Sequence, residues 1–160
     1  MQGDNNEFYL THNYNGEKLR AGSIFLDYRN SPDFTDRHTI IYGHDLRNGS
    51  MFGQLDLFAD LTFATAHQTF QLEMGQEILT LQLYSAYETT TDFYYIQTNF
   101  TDQTFEQFLQ DIKQKSSIDL DTSMQKNDQL VTLSTCTSSV DEKQRFVVHA
   151  KIIERIEQNK

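Results

Sequence analysis

Apolar and polar positions alternate with a period of two along most of this chain, and a helical period appears in only two places. The runs Glu7–Asn13 and Ala21–Asp27 alternate on either side of Asn13-Tyr-Asn-Gly16, a turn signal, and predict a hairpin. Arg29–Arg37 has the Asn, Ser, Pro and Asp of a loop. Thr39–Tyr42 reads as a short β-branched strand ending at Gly43. Beyond the Asn48-Gly49 turn signal, Met51, Leu55, Phe58 and Ala59 recur at helical spacing and predict a short helix. Gln68–Glu73 alternates, Gln76–Tyr87 reads as a long strand, and Asp92–Thr98 is aromatic-rich and β-prone. The strongest helical pattern is Asp102–Lys115, where Phe105, Phe108, Leu109 and Ile112 form one apolar stripe behind a Thr101-Asp102 cap. Two last strands, Gln129–Cys136 and Arg145–Ile153, enclose the polar segment Thr137–Gln144.

Seven or eight short strands with a few interrupting helices predict a mainly β chain folded as a closed β-barrel. A parallel α/β sheet would need regular strand–helix alternation, which this pattern lacks. The length, 160 residues, suits a single domain spanning 1–160. A formal charge of −10 argues against nucleic acid and against an anionic membrane surface, since both require clustered Lys and Arg. One cysteine can form neither an intramolecular disulfide nor a thiolate zinc site. The acids are scattered with no calcium-loop spacing, so neither a metal nor a cofactor is expected. No apolar run of 18 residues occurs, so any membrane anchor is expected to lie N-terminal to this chain.

Three residues carry the chemistry. Cys136 ends the strand-like run Leu130–Cys136 where a polar loop begins, a place where a thiol is reachable. Arg145 opens the next strand nine residues later, and a cation there favours thiolate and stabilises an oxyanion. His44 follows the strand ending at Gly43, in a Gly-flanked turn. A nucleophile, a proton carrier and a cation at three strand ends fit a nucleophilic site on a rigid scaffold.

At these residues the chain resembles the class B sortases. Thr132-Leu-Ser-Thr-Cys136 is similar to the sortase signature Thr-Leu-x-Thr-Cys, and Arg145-Phe-Val-Val-His-Ala-Lys151 resembles the arginine-bearing strand. Ile40-Ile-Tyr-Gly-His44, followed by Gly49-Ser-Met-Phe-Gly53, is similar to the histidine segment. Ala21-Gly-Ser-Ile-Phe-Leu-Asp-Tyr-Arg-Asn30 resembles the start of class B domains, and the helix Asp102–Lys115 their helix between the sixth and seventh strands. Ser31-Pro-Asp-Phe34 has neither the order nor the place of the aromatic lid of class C pilin enzymes.

The resemblance implies a monomeric, membrane-anchored cysteine transpeptidase on the outer face of a Gram-positive cell. Cys136 would attack a sorting-motif peptide of a surface or pilin protein, His44 act as general acid/base, and Arg145 hold the oxyanion or substrate. Ser134, Thr135 and Thr137 would contact the peptide, with the Thr137 N–H helping at the oxyanion. A peptidoglycan precursor or a pilin lysine would supply the accepting amine. A cysteine hydrolase with the same dyad and a non-catalytic cell-surface β-barrel binding module are the competing readings. His149 is expected inside the last strand in a structural role, and His12, His38 and His67 at the surface. Asp45 adjoins His44 in sequence only, and Asp56 and Asp60 suit a solvated helix face. Phe93, Tyr94, Tyr95, Phe100, Phe105 and Phe108 are expected to pack the core and the helix.

Overall fold

The apolar run from His38 to His44 is buried on both sides for almost its whole length because it forms an inner strand. In a computed structural model describing residues 1–136 and 143–158, six strands make one sheet. They are β1 (Phe25–Leu26), β2 (His38–His44), β3 (Thr69–Met74), β4 (Glu77–Thr90), β5 (Leu130–Cys136) and β6 (Gln144–Glu157). Their order is β1-β2-β5-β6-β4-β3, with β2 and β5 parallel and the other pairs antiparallel. The mainly β expectation holds, but the closed seven- or eight-stranded barrel does not. Among the described residues the sheet is an open half-barrel edged by β1 and β3.

Two expected strands are missing from the ladder, each for a physical reason. In the run Glu7–Asn13 the Asn5 Oδ1 accepts from the N–H groups of Glu7 and Phe8 at 2.8 and 2.9 Å, which starts a 3-10 turn over Phe8–Leu10. Its intended partner run pairs only over Phe25–Leu26. In Asp92–Thr98, side chains take the carbonyls that a ladder would need. Arg29 donates to Ile96 O at 2.9 Å and His38 to Gln97 O at 2.6 Å. That segment therefore crosses the sheet as a loop, with Tyr95 buried.

The predicted short helix is present as a 3-10 turn, Leu55–Ala59, and a helix α1 (Leu61–Ala66) capped by Asp60. The helix α2 (Asp102–Lys115) has the expected bounds. Thr101 and Thr104 satisfy each other's backbone N–H in a reciprocal cap, and Phe105, Phe108, Leu109 and Ile112 all turn inward. Burying each of these side chains contributes roughly 1.5–3 kcal/mol. They pack with Tyr84, Tyr87, Tyr95, Leu130 and Val147. With six strands in the sheet, α2 falls between the fourth and fifth rather than the sixth and seventh.

Beneath α2 lies a fully buried polar chain, and it moves His38 from the expected surface into the core. Gln97 O can only accept, so His38 Nδ1–H donates to it, at 2.6 Å. The neutral ring then accepts at Nε2 from the Thr132 hydroxyl, 2.6 Å away. Thr132 Oγ1 in turn accepts from His149 Nδ1–H at 2.6 Å, and His149 Nε2 from the Tyr87 hydroxyl at 2.7 Å. Every link runs in one direction, and the pattern requires both imidazoles to be neutral. Burial enforces this, holding His38 down to about 4 and His149 well below the usual histidine range. The structural role expected of His149 is the one it has.

Candidate active site

Parallel pairing of β2 with β5 determines what meets at their C-terminal ends. The register runs without a slip from His38↔Leu130 to Gly43↔Thr135 and His44↔Cys136. Residues 92 positions apart in sequence are thus level neighbours on strands about 4.8 Å apart. Gly43 lacks a side chain where the Phe52 ring lies, since a Cβ there would approach that ring to 2.8 Å. Phe52 N–H donates to His44 O at 2.8 Å, so the loop after β2 folds back over the strand end.

His44 is half-buried, and its Nε2 lies 2.6 Å from the Leu10 carbonyl. A carbonyl only accepts, so Nε2 carries the hydrogen and Nδ1 is left as the second, basic nitrogen of the neutral ring. The orienting partner is thus a backbone oxygen of the N-terminal 3-10 turn, and not the adjacent Asp45. Burial, with Asp56 nearby, pushes the Asp45 carboxyl above the usual carboxylate range.

Arg145 stands in β6, where Thr89 of β4 is its partner. On the other side, β5 and β6 pair from Leu130↔Lys151 to Ser134↔Val147. The same register carried two residues further would set Arg145 across from Cys136. At that point the ladder gives way to a side-chain bond, Phe146 N–H donating to Thr135 Oγ1 at 2.8 Å. Arg145 and Thr135 line a cavity of about 130 Å³ whose wall also holds Asp45, Asp56 and Glu88. A cation, a recess and three carboxylates therefore lie at the strand ends that carry Cys136 and His44.

The sortase domain family matches residues 4–153. The chain belongs to the sortase family. It is 46% identical over 155 residues to sortase B of Listeria monocytogenes, covering 96% of this chain and 63% of that protein's length. It superposes on a Staphylococcus aureus sortase B–substrate complex with a TM-score of 0.90 at 38% identity, covering 96% of this chain and 72% of that one. A sortase B complexed with Gly3 gives 0.89 at 38% identity, over 96% and 73% of the two chains. The class B resemblance is thereby carried by sequence and fold together.

Within this sortase chain the remaining expected residues fall unevenly. Ser134 is fully buried, its Oγ 2.7 Å from the Tyr95 hydroxyl. Thr135 is buried too, with its hydroxyl engaged by Phe146 as above. Thr137 lies outside the described residues. What residue patterns did not reveal is the N-terminal turn and its Leu10 carbonyl. One signal was available. Gly22, inside an otherwise alternating run, marks a close backbone approach rather than a continuous strand.

Proposed function

We propose that this chain is the catalytic part of a cysteine transpeptidase acting on peptides at the outer face of a Gram-positive membrane. The observation that carries the reading is the level pairing of His44 with Cys136 on adjacent parallel strands. Family membership supports thiol acyl-transfer chemistry, and the fold neighbours solved with a substrate and with Gly3 support a peptide donor and an amine acceptor.

In this scheme the Cys136 thiol gives its proton to His44 Nδ1, and the resulting thiolate attacks the scissile carbonyl of a sorting-motif peptide. The carbonyl π pair moves onto oxygen, where Arg145 and the Thr137 N–H offset the charge. Collapse breaks the C–N bond, and the leaving amine takes a proton from His44, leaving a thioacyl enzyme. A second amine attacks the thioester, gives up its proton to His44, and releases the thiolate. Nδ1 is the nitrogen for this traffic, because Nε2–H is committed to Leu10. The accepting amine belongs to a peptidoglycan precursor or, in the alternative, to a pilin lysine.

Incubating the protein with sorting-motif peptides and a panel of amines, read by mass spectrometry, tests the proposal. The expected species are a thioacyl adduct and, with amine present, the amine-capped peptide. Cys136→Ala should abolish both, and Arg145→Ala should slow adduct formation by about 10²–10³-fold. Hydrolysed peptide alone at saturating amine would replace the transferase with a cysteine hydrolase. Binding without any adduct would leave a non-catalytic module.

A further inference from the structure

The His44 ring is held by a backbone carbonyl of the turn Phe8–Leu10, so something must keep that carbonyl in place. The turn Phe8–Leu10 is pinned from behind by residues 19–23. Leu19 N–H donates to Thr11 O at 2.8 Å, Ser23 N–H to Tyr9 O at 2.8 Å, and the Ser23 hydroxyl to His12 O at 2.8 Å. Leu10 also packs against the buried trio Phe25, Ile40 and Tyr42 of β1 and β2. In the middle of this contact is Gly22, whose φ of +59° lies in the left-handed region. A Cβ there would stand 2.5 Å from both Leu10 O and Tyr9 O and 2.7 Å from the Leu10 carbonyl carbon. These atoms are backbone and have no rotamer by which to step aside. The atom such a side chain would strike is the one that accepts from His44 Nε2–H at 2.6 Å.

We propose that Gly22 is a positioning residue for the reaction, acting through the Leu10 carbonyl to lock His44 in its Nε2–H tautomer with Nδ1 presented to the reacting groups. The inference rests on the reading of His44 as the proton carrier and adds what holds it ready. Any side chain at position 22 displaces the carbonyl, frees the ring to turn or exchange tautomers, and removes the basic nitrogen from its working place.

The test compares Gly22→Ala with Gly16→Ala. Gly16 has a φ of +80° in the same N-terminal region, yet a Cβ there would meet nothing within 4 Å. The control therefore reproduces the left-handed strain without touching Leu10. Gly22→Ala should lower kcat for peptide-to-amine transfer at least about tenfold with KM for the peptide little changed, the pattern of a misplaced catalytic group. Long-range ¹H–¹⁵N spectra should show His44 as a single Nε2–H tautomer in the wild type and Gly16→Ala, and as a mixture in Gly22→Ala. An unaltered tautomer or rate in folded Gly22→Ala overturns the proposal, as does an equal loss in Gly16→Ala. If Gly22→Ala does not fold, the wild-type spectrum decides, since an Nδ1–H ring at His44 is incompatible with the Leu10 bond. His44→Ala separates the two layers. Full activity in that variant removes the proton-carrier role itself, whereas an inactive His44→Ala beside an unaffected Gly22→Ala removes only the positioning.

Discussion

Both threonine hydroxyls of the run that ends at Cys136 are used inside the fold. Thr135 takes up the Phe146 N–H where β5 and β6 part, and Thr132 bridges two buried imidazoles. The second is the more demanding role, since Thr132 must donate to one ring and accept from the other at once. Replacing it with valine keeps the shape and removes both bonds, leaving His38 Nε2 and His149 Nδ1 buried without partners. Thr132→Val should therefore cost roughly 2–4 kcal/mol, for two unsatisfied buried groups, measured by urea denaturation at neutral pH. A loss below about 0.5 kcal/mol would mean the bridge is not made in solution. The proposed site residues Cys136, His44 and Arg145 are visible in the sequence as residue types at strand ends, which is where the structure has them. Leu10 is not, because it acts through its carbonyl, an atom that every residue possesses. His38 reads as a surface residue in the sequence because polarity alone does not show that Gln97 and Thr132 wait for it on other segments.

Segments were legible where one physical effect dominates them. The α2 helix has its stripe, its cap and its bounds written locally, and tertiary packing adds to each without contradicting any. Asp92–Thr98 was not legible, because its aromatic content favours a strand while its backbone is claimed by distant side chains. Arg29 is the principal claimant. It bonds Ile96 O, the Tyr94 hydroxyl and both oxygens of Asp27. Burial works to raise the pKa of the Asp27 carboxyl, but the bonds from Arg29 and Tyr42 outweigh it and keep the group ionised below the usual range. Removing Arg29 leaves a fully buried carboxylate without its cation and the 92–98 loop without its tie. Arg29→Met should destabilise the protein by about 2–3 kcal/mol, toward the low end for a broken ion pair because Arg29 is partly exposed. Amide hydrogen exchange should also quicken at Tyr95–Gln97. Unchanged exchange there would show that the buried Tyr95 ring alone holds the loop.

For the molecule as a whole, the half-barrel is joined across its centre by side chains from β2, β5, β6 and β4 that share one hydrogen-bond chain, His38–Thr132–His149–Tyr87. That chain makes the fold sensitive to acid in a defined window. Between about 4 and 6.5 the unfolded state binds a proton at His38 that the folded state refuses, so stability falls as pH is lowered from 6.5 and levels off near 4. The direction is the same for His149. His38 alone accounts for roughly 3 kcal/mol across the window. Asp27 acts in the same sense, but its contribution is lost only as pH falls below the unfolded carboxylate range, about 4, so it does not disguise the histidine effect at higher pH. Charges near His38 are few, with Asp27 favouring its protonation and Arg29 opposing it, and burial outweighs both. Urea denaturation from pH 7 to 4.5 should show stability dropping with a slope that exceeds one proton by pH 5, because two rings titrate in the unfolded chain alone. Replacing His149 with glutamine should lower that slope by about one proton while costing stability at pH 7. Stability that stays flat between pH 6.5 and 5 would mean that the rings take up protons without unfolding, and that the chain of bonds reverses or opens when they do.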